Sequence, residues 1–360
     1  MKKIDIVVGA RPNFIKAFPV YRALERNGQF SLRLINTGQH YDENMANNFF
    51  RQLEMKKSDI NLMVGSSSHA EQTGKIMIAI EKIFIENSPD LVMVFGDVNS
   101  TLATALAASK LHIPVAHVEA GLRSFDRTMP EEINRVLTDQ ISDLLFITSH
   151  EAEDNLIKEG KNKDKIHFVG NTMIDSLIRF QPFFDGALIK DSYGLRDKEY
   201  ILITLHRPSN VDDPENLEQL IASLNSVAEI VPCLWPLHPR TRKQLDEIRL
   251  KTHDKLFIIE PLGYLEFMSL QKDALAVITD SGGIQEETTF LGVPCLTVRD
   301  NTERPITIEQ GTNRLVGTDY SQILGSIRKT IAEDNKFKIP KFWDGNASER
   351  IAEIIDNNLT

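Results

Sequence analysis

Short apolar runs alternate with amphipathic segments along most of the chain. Ile4 to Val8, Leu32 to Ile35, Leu91 to Phe95, Val115 to Val118 and Leu144 to Ile147 are brief, largely apolar and bounded by turn-forming residues. That is the pattern of strands buried on both faces of a parallel sheet. Segments with helical spacing of apolar positions lie between them. A second series repeats the pattern in Tyr200 to Leu205, Cys233 to Leu237, Leu256 to Ile259, Leu275 to Thr279 and Cys295 to Val298. The alternation predicts an α/β chain with two doubly wound parallel sheets. Between the series, "GNTMIDSLIRFQPFFDG" reads as a connecting helix, which places the boundary near Gly170 and gives domains 1–170 and 171–345. The stretch "ASERIAEIIDNNLT" predicts a final helix, with its apolar face at Ile351, Ile354 and Ile355. Open sheets of this kind bind ligands outside the carboxyl ends of their strands. Two such domains facing each other predict a central cleft lined by both sets of loops.

Composition narrows the class. A chain of 360 residues exceeds one ordinary core, in keeping with two domains. The formal net charge of −10 argues against nucleic acid and anionic membrane as partners, because both demand clustered Lys and Arg. An anionic small molecule needs only local positive charge. Cys233 and Cys295 fall at the edges of buried strands with no metal-ligand spacing, as expected of free thiols in a reducing cytoplasm. "MKKIDIVVGARPNF" starts like a secretion signal, but Asp5 interrupts the apolar stretch and Arg11 ends it, so it reads as a first strand. No apolar segment approaches the roughly 18 residues that would suggest a membrane span.

The candidate chemistry sits at strand ends. In "ALAVITDSGGIQEETTFLG" a buried strand runs through a Ser-Gly-Gly turn into a helix. Such a helix start leaves backbone N–H groups unpaired and attracts anions. Gly282 and Gly283 would let phosphate oxygens approach the backbone, Ser281 would add a hydroxyl, and Glu287 lies about one turn further on, suited to a ribose diol. A tight connection with a capping serine is the alternative. "GARPNFIK" places Arg11 and Lys16 after the first strand, "GDVNST" places Asp97 after the third, and "HVEAGLRS" places Glu119 and Arg123 after the fourth. "MPEEINR" opens a helix with Glu131, while "TLHRPSN" and "PLHPRT" end strands of the second series with His206, Arg207 and His238. Singly, Asp97 and Asn99 fit helix caps, Glu131 and Glu132 fit dipole-favouring residues, and the histidines fit structural ones. Their accumulation at strand ends beside an anion turn favours one site.

Together with "TGQHYDENM", "FVGNTMIDSL" and "RDNTERPITIEQGTNRLVG", these motifs resemble the non-hydrolysing UDP-N-acetylglucosamine 2-epimerase family in the same order, from the first strand to about Gly317. The resemblance implies a GT-B fold: two Rossmann-like domains around a sugar nucleotide, with the final helix, 346–360, packing back on the first. It puts the pyrophosphate on Ser281, Gly282, Gly283 and the Arg11 loop, the ribose on Glu287 and the uracil beside Phe267. Lys16, Arg123, Arg207, His238 and Arg304 become substrate-binding positions, and Asp97, Glu119, Glu131 and His206 the acid/base set. The implied partner is a UDP-N-acetyl sugar, the implied assembly a homodimer, and neither cofactor nor metal is called for. The implied chemistry is elimination of UDP across C1–C2 to 2-acetamidoglucal, followed by re-addition with C2 inverted. It needs a base on one face, an acid on the other and stabilisation of the leaving diphosphate. Related enzymes act on oxidised or diacetamido sugars. A hydrolysing epimerase, a GT-B glycosyltransferase and a silent sugar-nucleotide sensor are the competing readings. A nicotinamide dehydrogenase would want G-x-G-x-x-G, and "GARPNF" has one glycine. Ala10, Asn13 and Pro208 depart from the commoner Thr, Glu and charged residue. Asp42 and Glu71 stand where substrate-activated members typically have Gln and Arg, which disfavours a second bound sugar nucleotide.

Overall fold

A computed structural model describes residues 1–39, 57–237, 239–248, 251–333 and 336–359. The chain forms two compact units, Met1–Arg179 with Lys341–Thr360, and Phe180–Pro340.

Among the described residues the first unit holds a seven-stranded sheet. Its strands are β1 (Lys2–Val8), β2 (Phe30–Asn36), β3 (Ile60–Asn61), β4 (Leu91–Phe95), β5 (Val115–Ala120), β6 (Leu144–Ile147) and β7 (Ile166–Phe168). They are ordered β3-β2-β1-β4-β5-β6-β7, and every described pairing is parallel. The second unit repeats the plan with β8 (Ile201–Thr204), β9 (Cys233–Pro236), β10 (Leu256–Ile259), β11 (Ala276–Thr279), β12 (Cys295–Thr297) and β13 (Asn313–Leu315). Their order is β10-β9-β8-β11-β12-β13. Each sheet therefore reverses its winding once, between β1 and β4 and between β8 and β11, and the crevice at such a reversal is where doubly wound folds bind ligands. Together these are the two Rossmann-like units of the GT-B type.

The strands at the reversals are the most apolar. All of β4 is buried, as are the four residues of β11, because helices cover both faces of a parallel sheet. The edge strands β3, β7 and β13 are missing from the sequence reading. Each has only two or three residues and is mostly half-buried, too short for any periodicity to register. Cys233 and Cys295 are free and buried, and burial pushes their thiols up to about 12 and about 11.

The C-terminal segment belongs to the first unit. Helix Ala347–Leu359 buries Ile351 and Ile355 and packs on helix Arg11–Asn27. Asp175 accepts from Ala347 N and Ser348 N at 3.1 and 2.7 Å, satisfying two orphan donors of the helix start. Trp343 donates its indole N–H to Thr148 O at 3.0 Å. Among the described residues no helix is long and apolar enough to cross a membrane.

Candidate functional site

In the first unit the polar residues gather at the β1/β4 reversal. Helix Arg11–Asn27 starts directly after β1, with Arg11 half-buried in its first turn. Asn13 accepts from Ala10 N at 3.1 Å and donates from Nδ2 to Phe95 O at 2.8 Å. An amide can do both, whereas a carboxylate accepts only, so Asn13 ties the ends of β1 and β4 together. One turn on, Lys16 Nζ lies 2.5 Å from Glu119 Oε2, both side chains buried. Gly96 makes room for them, since a Cβ there would lie 3.2 Å from Lys16 Nζ.

Glu119 stands at the end of β5, where the pairing with β6 shifts register between Val118 and Ala120. Its φ is +74°, a conformation that costs a non-glycine residue on the order of 1–3 kcal/mol and collects at functional positions. Asp97, one residue beyond Gly96, pairs with Arg135. Arg135 also holds Glu132, and Glu132 accepts from Ser124 N and Phe125 N, both at 2.9 Å. Helix Pro130–Ile141 is thereby fastened to the β4 loop, with Glu131 half-buried in its first turn. Glu132 is thus a brace; Glu131 has no such contact among the described residues.

Arg123 is placed differently from the sequence expectation. It is buried and donates to Glu159 at 2.8 and 2.6 Å and to Leu122 O at 2.6 Å, with Asp139 2.7 Å away. Most of its donors are spent inside the protein, so it is a structural cation. Arg123→Met should lower stability by about 3–5 kcal/mol, the cost of uncovering a buried carboxylate. Substrate KM should hold within a few-fold; denaturant titration and steady-state kinetics check both.

In the second unit the anchor is Asp280, which follows β11 and was not singled out from sequence. It is fully buried and accepts from His206 N, Arg207 N and Asn210 Nδ2 at 3.0, 2.9 and 3.0 Å. His206 Nδ1 lies 3.0 Å from its other oxygen while the ring stays half-exposed. Burial alone would raise the Asp280 pKa, but the hydrogen bond and charge of His206, with the Arg207 and Asn210 donors, hold it below the usual carboxylate range. The arrangement fixes the proton of a neutral His206 on Nδ1 and leaves Nε2 as the acceptor. The signal was present in "ITDSGG": an acidic residue at the mouth of a buried strand.

Helix Gly282–Leu291 begins after that turn, and Ser281, Gly282 and Gly283 are partly open. A Cβ at Gly282 would come 2.3 Å from Arg304 Nη1, so a larger residue there would have to displace that guanidinium. Arg304 itself is buried, with Glu286 Oε1 3.0 Å from Nε and Glu303 beside Nη1. It packs beneath the turn and is held by two carboxylates. Glu287 is buried on the next turn, 3.4 Å from Gln271 Nε2, and Phe267 packs half-buried in the adjoining apolar cluster. Arg207 Nε donates to Asp280 O at 3.0 Å.

His238 and Asp42 lie outside the described residues. Glu71 is not a bare carboxylate: Lys75 Nζ sits 2.6 Å away, with both side chains about half exposed. A balanced surface pair of this kind repels an anion only weakly.

Residues 22–356 match the family model for UDP-N-acetylglucosamine 2-epimerase. The chain is 45% identical to the UDP-N-acetylglucosamine 2-epimerase of Methanocaldococcus jannaschii, over 98% of each protein. It is 44% identical to the UDP-2,3-diacetamido-2,3-dideoxy-D-glucuronate 2-epimerase of Pseudomonas aeruginosa, over 98% of this chain and 99% of that one. The crystal structure of M. jannaschii UDP-GlcNAc 2-epimerase in complex with UDP-GlcNAc and UDP superposes with a TM-score of 0.92 at 45% identity, covering 99% of both chains.

Proposed function

The chain belongs to the UDP-N-acetylglucosamine 2-epimerase family, and on that premise we propose that it interconverts UDP-GlcNAc and UDP-ManNAc. The anion turn at Ser281–Gly283 takes the diphosphate, with Arg11 and Arg207 adding charge. Asp97, Glu119, Glu131 and His206 form the set from which the proton donors and acceptors are drawn. The C2 proton is too weakly acidic to leave alone. Its loss is coupled to breaking of the C1–O bond: the C2–H electron pair becomes the C1=C2 double bond of 2-acetamidoglucal, and the C1–O pair departs with UDP. The reverse addition delivers a proton to the opposite face of C2. Arg304, paired with Glu286 and Glu303 beside Gly282, supports the turn. The enzyme works as a homodimer.

The observation that supports this reading best is that both sheet reversals end in a closely paired couple of titratable side chains. In one unit it is Lys16 with the strained Glu119; in the other it is Asp280 holding His206 by one ring nitrogen. Incubation with UDP-GlcNAc alone in D2O, followed by NMR, should give UDP-ManNAc carrying deuterium at C2. Product without solvent deuterium would sink the elimination route, and free ManNAc as the main product would indicate a hydrolysing enzyme. The near-equal identity to the diacetamido-glucuronate epimerase calls for a parallel assay with that sugar nucleotide. Turnover of it alone would transfer the substrate assignment.

A further inference from the structure

We infer that Asp139 is the positioning residue that holds Glu119 in its left-handed conformation, by gripping the chain on both sides of it. The inference rests on the reading of Glu119 as an acid/base group. Asp139 lies on helix Pro130–Ile141 and is fully buried. Its Oδ1 lies 2.7 Å from His117 Nδ1, two residues before Glu119. Its Oδ2 accepts from Gly121 N at 3.0 Å, two residues after. Between these anchors the strand shifts register, and Glu119 and Gly121 take φ values of +74° and +78°. A backbone in that region relaxes unless its surroundings over-determine it, and one carboxylate bonded to both flanks supplies that determination.

The grip extends to the other wall of the site. His117 Nε2 lies 2.8 Å from Gly96 O, an acceptor, so the ring bridges Asp139 to the residue directly before Asp97. Gly96 N in turn donates to Val118 O at 3.0 Å. The β4 and β5 loops, which carry Asp97 and Glu119, are thus referenced to one side chain. Asp139 reaches neither reacting group itself; it acts through His117 and Gly121. Arg123, 2.7 Å from Oδ2, balances its charge.

The test separates positioning from charge balance. Asp139→Ala removes both grips and should lower kcat about 10- to 100-fold, with KM within about threefold. Asp139→Asn keeps them: its amide oxygen accepts from Gly121 N, and its NH2 donates to His117 Nδ1, while the proton on His117 Nε2 stays on Gly96 O. It should therefore recover kcat to within about fivefold of the native enzyme. In a Glu119→Gln background Asp139→Ala should cost less than about threefold more, because a misplaced residue that no longer transfers protons has nothing further to lose. Should Asp139→Ala not fold, His117→Phe cuts the Gly96 bridge and one grip while leaving Arg123 and Asp139 paired. It should show the same kcat-selective loss and the same suppression. Asp139→Asn as slow as Asp139→Ala would overturn the inference, as would losses that multiply fully on Glu119→Gln, or native kcat with only a lowered melting temperature. Near-normal kcat in Glu119→Gln itself would overturn the acid/base reading, and the inference with it.

Discussion

Replacing Glu119 by glutamine should lower kcat by roughly 10²–10⁴-fold, the usual contribution of a positioned proton-transfer group. The substitution keeps the length of the side chain and an acceptor for Lys16 Nζ, now at 2.5 Å from the carboxylate, but removes the ability to exchange a proton. It also leaves a buried ammonium without its counter-charge, and breaking such a pair costs about 3–5 kcal/mol. Activity should therefore be measured per folded enzyme, well below the melting transition. Lys16→Met with Glu119→Gln should restore stability without restoring turnover. Near-native kcat in folded Glu119→Gln would return the residue to a purely structural place, and its positive φ would then need another cause.

Asp280→Asn should be comparably damaging, through orientation of a proton. The amide oxygen takes over the donors from Arg207 N and Asn210, and its NH2 then faces His206 Nδ1, which lay 3.0 Å from a carboxylate oxygen. Two donors cannot meet there, so the imidazole moves its proton to Nε2 and presents a donor where an acceptor was needed. Inverted tautomers of this kind cost up to about 10⁴ in kcat in the Ser-His-Asp case. A loss confined to KM would move His206 from proton transfer to diphosphate binding. The same variant has an acid-stability signature. The folded-state pKa of Asp280 is depressed, so its contribution to stability is present above the unfolded carboxylate value of about 4 and is lost as pH falls through the folded value. Asp280→Asn should flatten the stability profile in that acid range, which thermal melts at stepped pH would read.

The sheets were legible because buried parallel strands are written as unbroken apolar runs. Val92 to Phe95 and Val277 to Thr279 are buried and read as strands in either view. The turn into helix Gly282–Leu291 is legible for a related reason, since paired glycines after an apolar run mark a connection from strand to helix. What sequence did not disclose is how charges are spent. Arg11, Arg123 and Arg304 are alike in a string of letters. Folding puts Arg123 against Glu159, 36 residues on, and Arg304 against Glu286 and Glu303. The roles of Asp280 and Asp139 are not legible in the sequence because the meaning of a carboxylate lies with its partners, and His206 is 74 positions from Asp280. The left-handed turn at Glu119 was hidden too, because nothing in "HVEAG" departs from an ordinary strand end until the neighbouring helix pins it.

The return of Lys341–Thr360 to the first unit bears on how the protein is made. On the ribosome the first sheet emerges early, but the helix that covers helix Arg11–Asn27 and the indole that reaches Thr148 follow only after the entire second unit has been translated. Until then Asp175 has no helix start to cap, and the apolar surface that later receives Ile351 and Ile355 stays open to water. Domains generally fold in order as they leave the ribosome, with unsatisfied apolar surface inviting misassembly. Here the domain begun first is the last to be finished.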